Sequence, residues 1–281
     1  MDYSDKQLCE ACRKYVGEVY LARISRISAW FGVENTRFWI GNKEVDADFC
    51  FLRSLGIGSL EQMIRRATLM EHMEIEGIPI INSAKALMRA RDKYASLITL
   101  FKAGLPIPRT FVTEMAGWAY RMCEKFEKFV YKPIIGSLGF GSMLFEDKDL
   151  AFNAYKTLQS LGQPLYIQEY LKPSKDIRAF VINGEVIASM ERKARPESWK
   201  ANVAQGGKVK PVKLNEDERE AAVKSAEVLN LFYAGVDIIE VADEFKILEV
   251  NGAPNWRGLQ EVTSVNIAEK LVKEVLGVLR R

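Results

Sequence analysis

Three side chains that could hold a metal ion lie in one predicted hairpin, DIIEVADEFKILEVN (237–251). Asp237, Glu249 and Asn251 carry hard oxygen ligands of the kind that Mg²⁺ prefers. Glu249 and Asn251 are two residues apart on one strand and therefore share a face. Asp237 joins that face if the turn has an odd number of residues, whereas a two-residue turn puts it on the other face. The alternative is that Glu249 and Asn251 line the solvated face of a hairpin.

A lysine precedes a group of glycines in VYKPIIGSLGFGS (130–142). Glycine-rich loops near a lysine often bind phosphate, because bare backbone N–H groups can approach the oxygens closely. The stretch matches neither the P-loop nor the dinucleotide fingerprint, and both of its flanks have strand character. We therefore predict a loop that joins two antiparallel strands, with Lys132 pointing at phosphates from the incoming strand. The alternative is a surface turn with an incidental lysine.

Two further segments carry charges that could meet a nucleotide or a substrate. In YIQEYLKPSKDIR (166–178), Asp176 and Arg178 share a strand face and offer an acceptor for ribose hydroxyls and a guanidinium for phosphate. Taken alone, this pair fits a surface ion pair better. The basic loop at about 194–213 also contains Trp199 and Asn202. It is either a solvated face or a lid over a dianionic substrate.

Composition excludes several classes of protein. The 281 residues include 40 basic and 37 acidic ones, and this net charge of +3 is too weak to suggest a nucleic-acid coat. No apolar run approaches the roughly 18 residues of a membrane span, and no signal-peptide pattern is present, so we expect a cytoplasmic protein without a membrane partner. The single histidine, His72, argues against Ser-His-Asp and Cys-His catalysis. Cys9 and Cys12 lack a second pair and have helical spacing, which favours ordinary helix residues over a zinc site.

The elements that must position these side chains alternate between helix and strand. In residues 1–82 we predict a helix from Ser4, a strand at 19–24, a hairpin turning at Gly41-Asn42 and a helix beginning at Ser59. This alternation indicates an open α/β sheet. Such a domain normally opens with a strand, so either the start is truncated or the first strand has been lost. Further predictions are a single long helix from Ser83 (or Asn82) to Gly104, a hairpin at Asn183-Gly184, and helices at 215–230 and 266–279.

Seven motifs follow one another in an order that resembles the ATP-grasp superfamily, in which two α+β subdomains close on ATP. The similarity is greatest to the RimK-type α-L-glutamate ligases and covers about 80–281. The motifs are SAKALMRARDK (83–93), KPIIGSLGFG (132–141), QEYLKPSKDIR (168–178), ERKA (191–194), NVAQGG (202–207), GVDI (235–238) and LEVNGAP (248–254).

The resemblance implies a fold of class α/β (α+β) with three parts. An N-terminal open α/β sheet domain (1–82), expected to lack its first strand, is followed by two subdomains that clamp ATP. These are a central and glycine-loop subdomain (83–170) and a C-terminal subdomain with the metal site (171–281).

The resemblance also implies roles for particular residues. ATP contacts are expected from the phosphate-binding Lys93, Lys132, Gly136, Ser137, Gly139 and Gly141, from the adenine hinge of Gln168, Glu169 and Leu171, and from Asp176 on the ribose. The transferring phosphoryl group and the incoming amino acid would meet Arg178, Arg192 and Asn202. Two Mg²⁺ ions, or Mn²⁺ in their place, would be held by Asp237, Glu249 and Asn251, with Glu249 bridging.

The implied activity is an ATP-dependent carboxylate–amine ligase that adds L-glutamate to an acceptor carboxylate through an acyl phosphate, releasing ADP and phosphate. The tail NGAPNWRGLQEVTSVNIAEKL is similar to that of archaeal enzymes that glutamylate tetrahydromethanopterin. Alternatives are a LysX-type ligase acting on an amino-group carrier protein in lysine or arginine biosynthesis, and RimK-type glutamylation of a ribosomal protein. A small-molecule kinase of the same fold and a nucleotide-binding module without chemistry are alternatives from other classes. A homo-oligomer, either a dimer or a tetramer, is also implied.

Overall fold

A computed structural model describes residues 2–32, 35–136, 139–193, 208–242 and 244–280. Within these ranges no helix is long and apolar enough to cross a membrane. The helices and strands in chain order are α1 (Tyr3–Tyr15), β1 (Ile27–Trp30), β2 (Arg37–Ile40), β3 (Lys43–Val45), β4 (Cys50–Phe51), α2 (Leu60–Ile75), β5 (Ile80–Ile81), α3 (Ala84–Arg91), α4 (Lys93–Lys102), β6 (Thr110–Thr113), α5 (Ala116–Cys123), β7 (Phe129–Lys132), β8 (Met143–Phe145), α6 (Lys148–Ser160), β9 (Leu165–Glu169), β10 (Lys175–Ile182), β11 (Glu185–Lys193), β12 (Lys208–Pro211), α7 (Glu216–Val228), β13 (Tyr233–Val241), β14 (Glu244–Asn251), α8 (Arg257–Gln260) and α9 (Ile267–Leu279).

The N-terminal part of the chain forms two small sheets. Strands β1, β2 and β3 make an antiparallel meander, and its second turn at Gly41-Asn42 confirms the predicted hairpin. Strands β4 and β5 form a parallel pair, and α2 begins after its predicted cap, Ser59. The predicted strand at 19–24 is wrong, because this stretch runs without regular structure into a 3-10 turn. Within the described residues this stretch pairs with no strand, and Leu21 is 59% exposed.

A four-stranded antiparallel sheet in the order β6-β9-β7-β8 forms the middle of the molecule. Helices α5 and α6 cover one of its faces, and Phe129, Tyr155, Leu165 and Ile167 lie in the core between them. The loop that leaves β7 returns to the same sheet as β8, antiparallel to it. The glycine loop therefore joins two antiparallel strands, as predicted.

A five-stranded antiparallel sheet in the order β12-β11-β10-β13-β14 forms the C-terminal part. The hairpin between β10 and β11 turns at Asn183-Gly184 as predicted, where both residues have positive φ angles of 47° and 76°. Helices α3, α4 and α7 contribute side chains to the core that contains Ile177 and Val236. This sheet therefore forms a rigid base for the side chains on its strands.

The predicted single helix from Ser83 to Gly104 is wrong in its middle. Asp92 has an extended backbone (φ −83°, ψ 107°), and its carboxylate accepts the N–H groups of Tyr94 and Ala95 at 2.9 and 3.0 Å. A short acidic side chain can satisfy backbone donors in this way and so favours the first turn of a new helix over its interior. The chain is therefore divided into α3 and α4 immediately before Lys93.

The first and last helices pack on one another. Leu8, Ala11 and Cys12 of α1 share a core with Leu271 and Val275 of α9. Lys14 donates to Glu269 at 2.9 Å. Cys9 and Cys12 are free cysteines on α1, which confirms their interpretation as helix residues.

Asn82 joins β5 to the C-terminal sheet. Its amide nitrogen donates to the carbonyls of Tyr233 and Gly252 at 2.8 and 2.6 Å. Its amide oxygen accepts the N–H groups of Phe232 and Tyr233 at 2.7 and 3.3 Å. One buried side chain thus connects segments about 150 residues apart in the sequence.

Candidate active site

Four charged side chains from three adjacent strands form one largely buried cluster, in which Arg192 and Asp237 are buried and Asp176 and Arg178 are half-buried. Asp176 and Arg178 lie on β10, opposite Arg192 of β11 and Asp237 of β13 respectively. Arg178 donates to both carboxylate oxygens of Asp237, with 2.7 Å between Nη2 and Oδ2. Arg192 donates through Nε to Asp176 Oδ1 at 2.7 Å, and its Nη2 lies 3.2 Å from Asp237 Oδ1. Two guanidiniums therefore share one carboxylate, which is only 7% exposed.

The charges in this cluster shift the protonation equilibria of its members. Burial pushes the pKa of Asp237 up, but Arg178 and Arg192 push it down further, so it lies below its ordinary value. For Asp176 burial has the larger effect and raises the pKa, despite the attraction of Arg192. Asp237 is thus the more acidic of the two carboxyls and stays anionic at neutral pH.

The metal-binding hairpin reaches the required register by an unexpected route. Val241 pairs with Glu244, so the turn contains two residues, a length that by itself would put Asp237 on the other face. A bulge between Asp237 and Ile238 leaves Leu248 as an extra residue on β14. Asp237 therefore lies directly opposite Glu249. The bulge thus brings Asp237 and Glu249 to the same face of the hairpin, which the two-residue turn alone would not do.

The donor set of this hairpin fits a magnesium ion shared with a ligand. In the described part of the chain, no group of three or more His, Cys, Asp or Glu side chains could hold a metal. Asp237, Glu249 and Asn251 offer two carboxylates and one amide. Mg²⁺ is usually held by one or two carboxylates together with substrate phosphates and water. The residues thus fit an ion that a triphosphate helps to coordinate.

Two lysines meet at the base of the glycine loop. The Lys93 backbone N–H donates to Ile134 O at 3.2 Å, and its Nζ donates to Gly136 O at 3.3 Å. Lys132 is half-buried, and its Nζ donates to Gln168 Oε1 at 2.5 Å. Burial lowers the pKa of Lys132 to about 8, and the positive charge of Lys93 acts in the same direction, whereas Glu249 acts against both. The two ammonium groups are thus held near the predicted metal ligands.

The glycine loop has at least one position that requires glycine. Gly141 has a φ of +75°, and a Cβ on it would lie 2.9 Å from Pro133 Cγ. Gly139 also has a positive φ, of 71°. Ser137 lies outside the described residues, as does Asn202, so the roles expected for them remain predictions.

The three expected hinge residues have different surroundings. The side chain of Gln168 is buried inside the four-stranded sheet. The carboxylate of Glu169 accepts the backbone N–H and the Nε–H of Arg109 at 2.8 and 2.5 Å. Leu171 makes no hydrogen bond within the part of the chain that the structure describes. Its backbone is thus the one most open to an adenine edge.

Sequence reasoning missed the role of Gly235, which lies beside Arg178. A Cβ on Gly235 would lie 2.8 Å from Pro254 Cβ and 3.0 Å from Arg178 Nη1. A side chain at this position would occupy space next to the Arg178 side chain, which reaches Asp237 from the neighbouring strand. Gly235 stands in the GVDI motif, but the sequence alone does not show which neighbour requires it.

Comparison with known proteins gives one family. The RimK-like ATP-grasp domain family matches residues 90–275. A tetrahydromethanopterin:alpha-L-glutamate ligase of Methanocaldococcus jannaschii is 36% identical over 280 residues, which cover 97% of this chain and 94% of that protein. A probable alpha-L-glutamate ligase of Legionella pneumophila (strain Corby) is 32% identical over 211 residues, covering 74% and 70%. All predicted site residues, from Lys93 to Asn251, fall inside the family match.

The fold is also found among solved structures. The ATP-grasp ligase PsnB, in complex with a phosphomimetic variant of its minimal precursor, Mg and ADP, superposes with a TM-score of 0.79. It is 23% identical in sequence, and the alignment covers 99% of this chain and 96% of that one. This similarity shows the ATP-grasp fold.

Proposed function

The chain belongs to the RimK-like ATP-grasp family and is an ATP-dependent ligase, and from that premise we propose that it adds L-glutamate to an acceptor carboxylate through an acyl phosphate. The observation that carries the proposal is the buried cluster of Arg178, Arg192 and Asp237 beside Lys132. Activation of a carboxylate by ATP needs cations around the moving phosphoryl group and a carboxylate that holds the metal. The cluster supplies both on one rigid sheet.

The proposed reaction has two steps. An oxygen of the acceptor carboxylate forms a bond to the γ-phosphorus of ATP, the bond from that phosphorus to the β–γ bridging oxygen breaks, and ADP leaves. The amine of glutamate then attacks the acyl carbon and loses a proton, and the bond from that carbon to the phosphate oxygen breaks. Lys93 and Lys132 bind the phosphates, while Arg178 or Arg192 stabilises the oxyanion of the tetrahedral intermediate.

The proposed cofactor site lies on the acidic hairpin. Asp237, Glu249 and Asn251 would hold two Mg²⁺ ions, with Glu249 between them and Mn²⁺ as a substitute. Bound Mg²⁺ would offset the negative charge that develops on the phosphoryl oxygens. Support comes from the Asp237–Glu249 pairing across the strands and from the low pKa of Asp237, since a ligand carboxylate must be ionised.

We propose tetrahydromethanopterin as the acceptor, because the M. jannaschii relative is named for that substrate and aligns with 97% of this chain. The acceptor would face the loop at 51–63. Ile57 in this stretch and Leu60, the first residue of α2, are 94% and 76% exposed. Arg66 donates to the carbonyls of Leu55 and Ile57 at 2.8 and 3.0 Å and so stabilises the backbone of this stretch. A supported apolar surface suits the flat ring system of a pterin.

The test uses acceptors labelled with ¹⁸O in the carboxylate. The protein is incubated with Mg-ATP, glutamate and, in separate reactions, tetrahydromethanopterin, an amino-group carrier protein and a ribosomal protein. We expect mass spectrometry to show a glutamyl unit added to the pterin and one ¹⁸O atom in the released phosphate. Unlabelled phosphate would contradict the acyl phosphate, and modification of a protein acceptor alone would contradict the pterin. Steady ADP release from a hydroxyl acceptor without glutamate would indicate a kinase instead.

A further inference from the structure

The side chain of Gln168 is fully engaged inside the protein. It is 1% exposed and lies on β9, between β6 and β7 of the four-stranded sheet. Its Oε1 accepts from Lys132 Nζ at 2.5 Å. Its Nε2 donates to Thr110 Oγ1 at 3.1 Å and to Tyr166 Oη at 3.3 Å. Both ends of the amide thus have partners among the described residues, and none of these partners is fully exposed.

Hydrogen-bond chemistry fixes which end of the amide faces the lysine. The Thr110 hydroxyl donates its single hydrogen to Pro108 O at 3.0 Å. It can therefore only accept from Gln168, because a hydroxyl has one donor hydrogen. This directs the NH₂ group of Gln168 towards Thr110 and its oxygen towards Lys132. The hydroxyl thus sets the amide orientation that the ammonium needs.

An ammonium group has three N–H donors, and Gln168 takes one of those of Lys132. The other two make no hydrogen bond within the described residues. A flexible lysine side chain loses considerable rotamer freedom when it binds a phosphate, and a fixed internal acceptor removes part of that cost before the ligand arrives. The geometry therefore holds the charge in place for an anion.

We propose that Gln168 is a positioning residue for Lys132, oriented by Thr110 and Tyr166, and that its side chain does not contact the adenine. This inference rests on the proposed function, in which Lys132 binds the phosphates of ATP. It changes the role that the family resemblance implies for Gln168, and it adds Thr110 and Tyr166 to the residues on which nucleotide binding depends.

The test is a double-mutant cycle on nucleotide affinity, measured by titration calorimetry with Mg-AMPPNP. The variants are Gln168→Met, Lys132→Met and the double variant. Gln168→Met should weaken binding about tenfold, in line with the loss of one hydrogen bond to a charged group. In the Lys132→Met background the same change should have no further effect, because Gln168 acts through the lysine. Equal losses in both backgrounds would overturn the inference.

A second probe separates positioning from adenine recognition. Gln168→Met should weaken magnesium tripolyphosphate, which has no base, by the same factor as AMPPNP. If only AMPPNP binding suffers, Gln168 contacts the adenine and the inference is wrong.

One control variant and one alternative variant complete the test. Gln163→Met, at an exposed position, should leave the affinity unchanged. Thr110→Val serves as a second route if Gln168→Met does not fold, and its effect should likewise vanish in the Lys132→Met background. Failure of the wild-type protein to bind AMPPNP would refute the proposed function, whereas additive losses in the cycle would refute only the role of Gln168.

Discussion

The buried cluster of Asp176, Arg178, Arg192 and Asp237 balances two positive against two negative charges. Charges removed from water are tolerated only when they are paired, and loss of one partner leaves the other uncompensated. Replacement of any single member of the cluster should therefore destabilise the protein. At the same time, a ligand that brings its own negative charge can compete with Asp237 for the two guanidiniums. This makes the cluster suited to a phosphoryl group.

Glu249→Ala tests the metal assignment. We expect turnover to fall by about 10²-fold or more, because the carboxylate would hold Mg²⁺ that offsets the negative charge developing in the transition state. Nucleotide binding should only weaken, since Lys93 and Lys132 remain. The measurement is the rate of ADP release at saturating ATP. Full activity in this variant would contradict the assignment.

Glu244→Ala is the matched control. Glu244 lies on the same strand, at the turn end, and its side chain is 80% exposed. Its replacement should leave turnover within about twofold of the wild type, as is usual for an exposed surface residue.

The pKa of Lys132, about 8, predicts a pH dependence of ATP binding. Below this pH the ammonium is charged, and above it the positive charge is progressively lost. The affinity for ATP should therefore fall about tenfold per pH unit above pH 8, as measured by calorimetry. Lys132→Arg carries a charge that does not titrate in this range and should remove the dependence. An equal fall in both proteins would assign the titration to a group other than Lys132.

At the scale of elements, β13 has no room for a side chain at Gly235, next to Arg178 of the neighbouring strand. Gly235→Ala should move Arg178 away from Asp237 and destabilise the protein by about 1–3 kcal/mol, the usual cost of overpacking. It should also reduce turnover. The measurements are urea unfolding followed by circular dichroism, and ADP release. A variant with wild-type turnover would show that Arg178 does not depend on this gap.

Gly277→Ala makes the same chemical change where space is open. Apart from the backbone of α9 itself, no atom of the described residues lies within 4 Å of a Cβ built on Gly277, which is in α9. Alanine costs less backbone entropy than glycine in a helix, so this variant should be more stable by about 0.5–1 kcal/mol. Destabilisation would mean that α9 packs more tightly at this point than the structure shows.

Local patterns predicted most elements but not how they fit together. The hairpin at Asn183-Gly184 and the helix at Ser59 were predictable because each depends on neighbours in sequence. The break at Asp92 was missed because the flanking periodicity continues through it. The bulge that places Asp237 opposite Glu249 depends on how the two strands pair. The need for glycine at 235 depends on Arg178, which is far away in the sequence. The strand predicted at 19–24 failed because the described residues place no strand beside this stretch.

Likewise, some site residues could be predicted from the sequence and others could not. Lys132 and Glu249 stand in motifs whose residue types indicate their chemistry. Gln168 also stands in a motif, but its buried partners Thr110 and Tyr166 come together only in the folded sheet. Thr110 lies on β6, whereas Tyr166 and Gln168 lie two residues apart on β9. In the sequence this spacing indicates only a strand with one polar face.

At the scale of the whole molecule, Asn82 connects the N-terminal part to the C-terminal sheet. Asn82→Ala should lower the free energy of unfolding by about 2–4 kcal/mol, because it leaves buried carbonyl and N–H groups without partners. Asn82→Asp keeps the size but places an oxygen against the carbonyls of Tyr233 and Gly252, so it should be at least as damaging. Urea unfolding measures both.

Asn153→Ala, on the exposed side of α6, is the control and should change stability by less than about 0.5 kcal/mol. If Asn82→Ala behaves like this control, the buried amide does not hold the two parts together.

The packing of α1 on α9 has a consequence for the way the protein is made. Leu8 and Ala11 are synthesised more than 250 residues before Leu271 and Val275, with which they share a core. At about 5–20 residues per second, the apolar face of α1 stays uncovered until those residues have been made. During that interval the face is open to binding by a chaperone.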